Sequence, residues 1–196
     1  MTNKSNLNSP SIGYKGEVTY SIKKGNRILV SKKLCNSGTV NLFKVLCMAL
    51  AGTPSQLSAP AKIQLFQKNM GESDYNRTDL HNLKISKDIV TNLGAALTPP
   101  LLYSNAPIIE NKAGVPTITF QFVIPFSLIS NPTAISYAIL FPNKANMSVE
   151  ADALAYLDFS KEDGYEDLSS QIPDTKEHAQ FLVDWKMSFS NLSSEV

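Results

Sequence analysis

The sequence predicts a mainly β protein: an antiparallel two-sheet sandwich, or a jelly-roll-like pair of sheets, with one buried helix near residues 40–51. Three observations carry that expectation. Short segments alternate apolar and polar residues with period two, the pattern of a strand with one face in a core. Gly-, Pro- and Asn-containing turn signals separate these segments without helices between them, which points to antiparallel sheets and not to βαβ units. No repeat with a period of about 20–50 residues is present, which argues against a solenoid or propeller.

The elements follow in order. Residues 1–13 are polar and aperiodic, and are expected to form a flexible N-terminal arm, with residues 14–196 as a single β-rich domain. Tyr14, Gly16, Val18, Tyr20 and Ile22 alternate with Lys15, Glu17, Thr19, Ser21 and Lys23, a half-buried strand. Lys24-Gly25-Asn26 is a turn, and Arg27 to Leu34 the returning strand of a hairpin. Asn36-Ser37-Gly38-Thr39 reads as a second turn, with Thr39 as the N-cap and Gly52 as the C′ residue of a helix from Val40 to Ala51. That helix is apolar except along Asn41, Lys44 and Met48, so it should be buried on most sides, Leu46, Cys47 and Leu50 included.

Ala61 to Gln67 is a short strand, and the polar stretch after it holds one weak strand candidate, Asn82 to Ile85. Leu93 to Ile109 is apolar but interrupted by Pro99, Pro100 and Pro107; an extended stretch at a sheet edge is expected there. Thr117 to Phe126 places Ile118, Phe120, Phe122, Ile124 and Phe126 on one face. Ala134 to Phe141 is nearly all apolar, as in a strand covered on both faces. Glu150 to Phe159 fits a strand or a short helix, with strand preferred. The last strand aligns Phe181, Val183, Trp185, Met187 and Phe189 on one face. Seven or eight strands and one helix result.

Composition limits the function classes. The chain has 196 residues, 43% hydrophobic and 18% charged, enough to bury a core and unlike a disordered chain. The longest apolar run, Val45 to Ala51, is too short for a membrane span, and the polar opening Met1 to Ser11 does not read as a secretory leader. Cys35 and Cys47 have no partners at metal-ligand spacing, so neither a zinc site nor a disulfide framework is expected. Sixteen Lys against two Arg argue against a phosphate-gripping, nucleic-acid-binding surface.

Charge is uneven along the chain. Residues 1–68 hold ten Lys/Arg and one acid, whereas residues 150–196 hold three Lys and eleven acids. On different flanks, these segments would let copies meet basic side to acidic side, in a salt-sensitive, head-to-tail contact. Side by side in one fold, they would not.

No catalytic motif is found. G-x-S-x-G, H-E-x-x-H, the P-loop and G-x-G-x-x-G are all missing, and His81 and His178 lie beside acids with no marked nucleophile. Asp158, Glu162, Asp163, Glu166 and Asp167 do not match the spacing of a calcium loop. The cations interleaved with Tyr14 and Tyr20 (Lys15, Lys23, Lys24, Arg27, Lys32, Lys33) fall mostly on the opposite strand face from the aromatics, so they do not form a stacking surface. Catalytic, cofactor-binding and metal-ligating residues are therefore expected to be none.

One segment carries more. GEVTY at Gly16 to Tyr20, then Lys24-Gly25-Asn26, Asn36-Ser37-Gly38-Thr39, Leu42-Phe43 and Ala49-Leu50-Ala51-Gly52, resembles a layout of small virion structural proteins of tailed bacteriophages. In that layout a hairpin runs through an N-x-G-T turn into a short L-F…A-L-A-G helix. The resemblance covers residues 14–66 and transfers no functional residues. It implies a non-enzymatic assembly subunit, of tail, baseplate, collar or head, made in the host bacterial cytoplasm and residing in the virion. Its partners would be other copies of itself and neighbouring virion proteins. The competing reading is a carbohydrate-binding β-sandwich module, of which a receptor-binding module is one kind, and it needs exposed aromatics such as Tyr103, Tyr137 or Tyr156 beside Asp or Asn.

Overall fold

The computed structural model describes residues 11–50, 60–69, 93–112, 114–159, 172 and 178–192. Ten strands are assembled in the order β4-β3-β8-β9-β2-β1-β10-β7-β6, with β5 paired to β3 beside β4. They are β1 (Ser11–Lys24), β2 (Arg27–Gly38), β3 (Pro60–Lys68), β4 (Leu93–Ala96), β5 (Leu101–Leu102), β6 (Ile108–Lys112), β7 (Val115–Pro125), β8 (Tyr137–Pro142), β9 (Ala155–Asp158) and β10 (Ala179–Leu192). Every pairing is antiparallel. The protein is mainly β and sandwich-like, as its period-two segments require.

The two sheets share β2. Its first part pairs with β1, from Arg27 to Asn36, in the sheet β2-β1-β10-β7-β6. Its end, Ser37 and Gly38, pairs with Tyr156 and Ala155 of β9, in the sheet that also contains β8, β3, β4 and β5. Asn36-Ser37-Gly38 is therefore the crossing segment of one long strand and not the turn that its Asn and Gly suggest. Likewise β1 begins at Ser11, inside the stretch expected to be an arm, because Ser11, Ile12 and Gly13 pair with Leu192, Asn191 and Ser190.

The β1–β2 hairpin closes through Gly25 and Asn26. Gly25 has φ +58°, which suits a leading Gly in a primed two-residue turn whose twist matches the strands. One extra residue, Leu29, bulges where the register shifts between Ile22 and Lys23.

Between the sheets lie Val18, Tyr20 and Ile22 of β1, Phe120, Phe122 and Ile124 of β7, Phe181, Val183 and Trp185 of β10, and Ile63 and Leu65 of β3, all buried. Alternation thus holds on β1, β7 and β10. Phe126 is also buried, but in a 3-10 turn (Phe126–Leu128) that follows β7. Tyr20, Phe159 and Phe181 stack in the centre, with ring centroids 5.4–5.9 Å apart. Each large side chain so buried contributes roughly 1.5–3 kcal/mol as a gross upper estimate.

β8 is buried along all six residues, as its apolar run predicts. Ala138 and Leu140 face the main core, while Tyr137, Ile139 and Phe141 join Phe66 and Tyr156 in a second apolar layer on the other face. The Pro-interrupted stretch 93–109 supplies the short strands β4, β5 and the start of β6; β4 and β6 end the strand order, which is where prolines are tolerated. The weak strand candidate at Asn82 to Ile85 lies outside the described residues.

Two elements differ from expectation. Glu150 to Phe159 divides into a helical turn (Val149–Asp152) and β9. Reciprocal capping explains the turn: Ala151 N donates to Ser148 Oγ at 3.2 Å, and Ser148 N donates to Asp152 Oδ2 at 2.9 Å. Partial burial opposes ionisation of Asp152, but Lys144 at 2.8 Å and the Ser148 N–H outweigh it and hold the carboxyl below its ordinary range.

The helix α1 (Val40–Leu50) forms as expected, but it is amphipathic and not enveloped. Leu42 is buried, Val45 and Leu46 are half-buried against the core, and Lys44 and Cys47 are exposed. The helix thus offers a single row, at i, i+3 and i+4, to the sandwich, and the buried-thiol expectation for Cys47 is corrected. The side chain of Leu50 lies outside those described. Thr39 does precede the helix, but its hydroxyl donates across to the carbonyls of Ala153 and Leu154. Leu42→Ala should accordingly cost about 2–5 kcal/mol in urea unfolding, and Leu46→Ala clearly less; equal losses would show the helix to be buried on both positions alike.

Candidate interaction surface

The sequence marked no catalytic, cofactor or metal residues, and of the histidines and acids it weighed only His178 and Asp158 fall among the described residues. His178 is exposed, with φ +57°, and its backbone carbonyl accepts from Gly25 N at 3.1 Å, so it closes the end of the β1–β10 ladder. Asp158 sits in β9. His81, Glu162, Asp163, Glu166 and Asp167 lie outside the described residues. Among the described residues no three His, Cys, Asp or Glu side chains are grouped to hold a metal ion. No described helix is long and apolar enough to cross a membrane.

A cluster of buried polar side chains gathers where β2 leaves the first sheet. Gly16 of β1 stands opposite Asn36 of β2, and on the next strand Met187 and Trp185 of β10 flank it through their pairing with Gly16 and Val18. The indole Nε1 of Trp185 and the backbone N of Glu17 can only donate, so the Asn36 amide must present its oxygen to them, at 3.0 and 3.1 Å. Its nitrogen then donates to the Tyr14 hydroxyl at 2.5 Å. A Cβ on Gly16 would overlap both the Asn36 amide and the Tyr14 hydroxyl, so only Gly makes room for the cluster.

Burial pushes the Tyr14 hydroxyl far above the ordinary tyrosine range, against the opposing donation of the Trp185 N–H. These partners satisfy one another, so the cluster is a latch between strands and not a reaction centre. The signal in the sequence was the conjunction of Gly16, Asn36 and Trp185, which only the register brings together.

The described aromatic side chains are buried or half-buried. Trp185, Tyr20, Tyr137 and Tyr156 are buried, and the half-buried Tyr103 tilts against Phe120 at 6.3 Å. A sugar-stacking platform has no exposed aromatic to use among the described residues. Lys15, Lys24 and Lys33 are exposed and Lys23 and Lys32 half-buried, and Lys32 stands directly opposite Tyr20 in the β1–β2 ladder, so alternation does not put every cation on the other face from the aromatics.

The outer face of the first sheet is mostly polar and internally bonded, though Val123 of β7, opposite Leu182, is 39% exposed on it. Lys33 pairs with Glu17 at 2.7 Å, Ser21 donates to Ser31 at 2.9 Å, Gln121 Nε2 donates to Asp184 at 3.2 Å, and Thr117 and Ser188 hydroxyls meet at 3.1 Å. Thr117, expected to face solvent, is thereby 5% exposed.

Exposed apolar side chains concentrate instead at the two ends of this sheet. Ile28 and Leu29 on β2 are 59% and 41% exposed, and Ile108 and Ile109 on β6 are 45% and 78% exposed. Here β2 pairs only with β1 before its crossing, and β6 only with β7. Parts of the two charged segments, β1 and β10, pair side by side over fourteen residues, while most of the acids of residues 150–196 lie outside the described residues.

No protein-family model, curated protein or solved structure matches the chain.

Removing the Asn36 oxygen should strand two buried donors. Asn36→Leu is expected to cost about 1–3 kcal/mol and to shift Trp185 fluorescence, measured in the same urea titration. The phenol of an unfolded chain ionises near about pH 10, while that of Tyr14 in the fold stays protonated above it. Its contribution to stability is therefore complete below about pH 10 and is lost as pH rises further. Tyr14→Phe should flatten that alkaline decline; an unchanged slope in pH-dependent melting would contradict the latch.

Proposed function

We propose that the chain is a non-enzymatic structural or assembly subunit of a tailed-phage virion, acting through protein–protein contacts in a multi-copy particle. The observation that carries this reading is a sheet whose two end strands each bear exposed Ile or Leu while its broad outer face is mostly polar and self-bonded. Edge strands present backbone donors and acceptors in rows, and apolar side chains beside them favour burial against another chain. An assembly subunit needs such surfaces more than it needs a pocket. The layout of residues 14–66 supports the same class: the hairpin β1–β2 leads into α1 at the positions the phage-like pattern implies, although the Asn36-Ser37-Gly38 segment is a strand crossing.

The reading makes the chain a stoichiometric particle component. Peptides of this chain should be recovered from gradient-purified virions at many copies per particle, by quantitative mass spectrometry. Recovery only from the soluble lysate, with none in particles, would end the proposal.

A further inference from the structure

We infer that β6 is the edge through which two copies of this chain pair, antiparallel and about a two-fold axis at Ile109. This deepens the assembly reading and rests on it for its biological setting, though the pairing itself stands on geometry.

Ile109 is opposite Ile118 in the β6–β7 ladder. Directly opposed residues share a sheet face, and Ile118 packs against the sandwich core, so Ile109 belongs to the same inner layer. Yet it is 78% exposed, the most exposed of the large apolar side chains described. The apolar layer reaches β6 and stops there unsealed. On the far side of β6 no described strand is paired.

Three pairings between the edges of the first sheet compete. Pairing β2 with β2 would bring Arg27, Lys32 and Lys33 of one copy toward the same cations of the other, and lysine on an edge is a known deterrent to such contact. Pairing β2 with β6 head to tail would be parallel, because the antiparallel steps from β2 through β1, β10 and β7 leave β2 and β6 pointing the same way. Parallel pairs are slightly weaker per residue. Pairing β6 with β6 about a two-fold axis is antiparallel and self-complementary.

A two-fold pairing of this kind sets one residue opposite itself. Centred on Glu110, it faces two carboxylates. Centred on Asn111, it is cut short by the turn at Gly114, where φ is +79°. Centred on Ile109, it closes the inner layer with Ile109 against Ile109 of the partner subunit, and puts Ile108 opposite Glu110 of the partner subunit, so no like charges meet. Pro107, which has no N–H to donate, limits the ladder on one side, so the contact ends as a pair and does not propagate.

Sedimentation equilibrium of the full chain over a concentration series tests the inference. The wild type should dimerise reversibly. Ile109→Lys, at a side chain 78% exposed in the single subunit, should weaken dimerisation at least tenfold and leave the melting temperature unchanged at concentrations too low for the wild type to dimerise. For register, Ile109→Cys in a Cys35→Ser, Cys47→Ser background should form a disulfide-linked dimer under oxidised glutathione, while Val123→Cys in the same background should not. A wild type that stays monomeric, a dimer indifferent to Ile109→Lys, or equal cross-linking at both positions overturns the β6 pairing. Recovery of the chain in particles despite those results leaves the assembly reading standing; a dimer sensitive to Ile109→Lys in a chain missing from particles supports the pairing and removes that reading.

Discussion

The fold depends on β2 being able to leave one sheet and enter the other without breaking. At the crossing, β1 and β2 must approach closely enough for Asn36 to reach the Trp185 indole, and the missing side chain at Gly16 is what permits it. A strand that changes sheets loses ladder partners at the corner, and buried backbone groups there need others. The Glu17 N–H finds the Asn36 oxygen, and Thr39, immediately after the crossing, ties its N to Leu154 O at 2.9 Å and its hydroxyl to the Ala153 and Leu154 carbonyls. The corner is therefore polar, with Asn36 and Thr39 bonded, in a described interior that is otherwise mostly aromatic and aliphatic.

That corner also fixes where α1 lies. The chain emerges from β2 already anchored to β9 and the residues before it, and Asn41 extends the anchor by donating to the Glu150 and Ala153 carbonyls at 3.3 and 3.4 Å. The helix begins with its orientation set by these bonds, and needs only the Leu42 row to hold it. This explains why so apolar a helix leaves Cys47 in solvent: its position follows from the strand crossing and not from a pocket shaped to enclose it.

What the sequence disclosed and what it withheld divide along the same line. Period-two alternation reports a strand's two faces, so β1, β7 and β10 and their inward residues were legible from local pattern alone, and β8 from its nearly unbroken apolar run. Asn36-Ser37-Gly38 was misread because turn propensity is local, whereas its strand state is decided by β9, more than a hundred residues away. Of Glu150 to Phe159, the part whose alternation favoured a strand, Ala153 to Asp158, holds β9, whereas the turn at Val149–Asp152 is set by the Ser148–Asp152 cap and Lys144, local bonds that favour a helix. The latch was invisible because Gly16, Asn36 and Trp185 mean little singly. The edge itself was legible, since the prolines within Leu93 to Ile109 point to a sheet margin, but that Ile108 and Ile109 are left uncovered there follows only from β6 being last in its sheet.

Position in the sheet, and not residue type, thus gives these isoleucines their consequence. An Ile inside the ladder is one more core contact, but the same residue on the last strand leaves apolar surface beside unpaired backbone. Proteins commonly blunt such edges with charge, proline or brevity. Both ends of the first sheet show some of these devices: Arg27, Lys32 and Lys33 on β2, and Pro107 with a five-residue strand at β6. The difference is that on β6 the devices sit at the margins and leave Ile108 and Ile109 between them uncovered. Guards placed so restrict how far another strand can run along the edge without preventing one from binding. The same arrangement separates folding from association, because the corner latch and the aromatic core lie inside the subunit while the exposed isoleucines contribute little to holding it together.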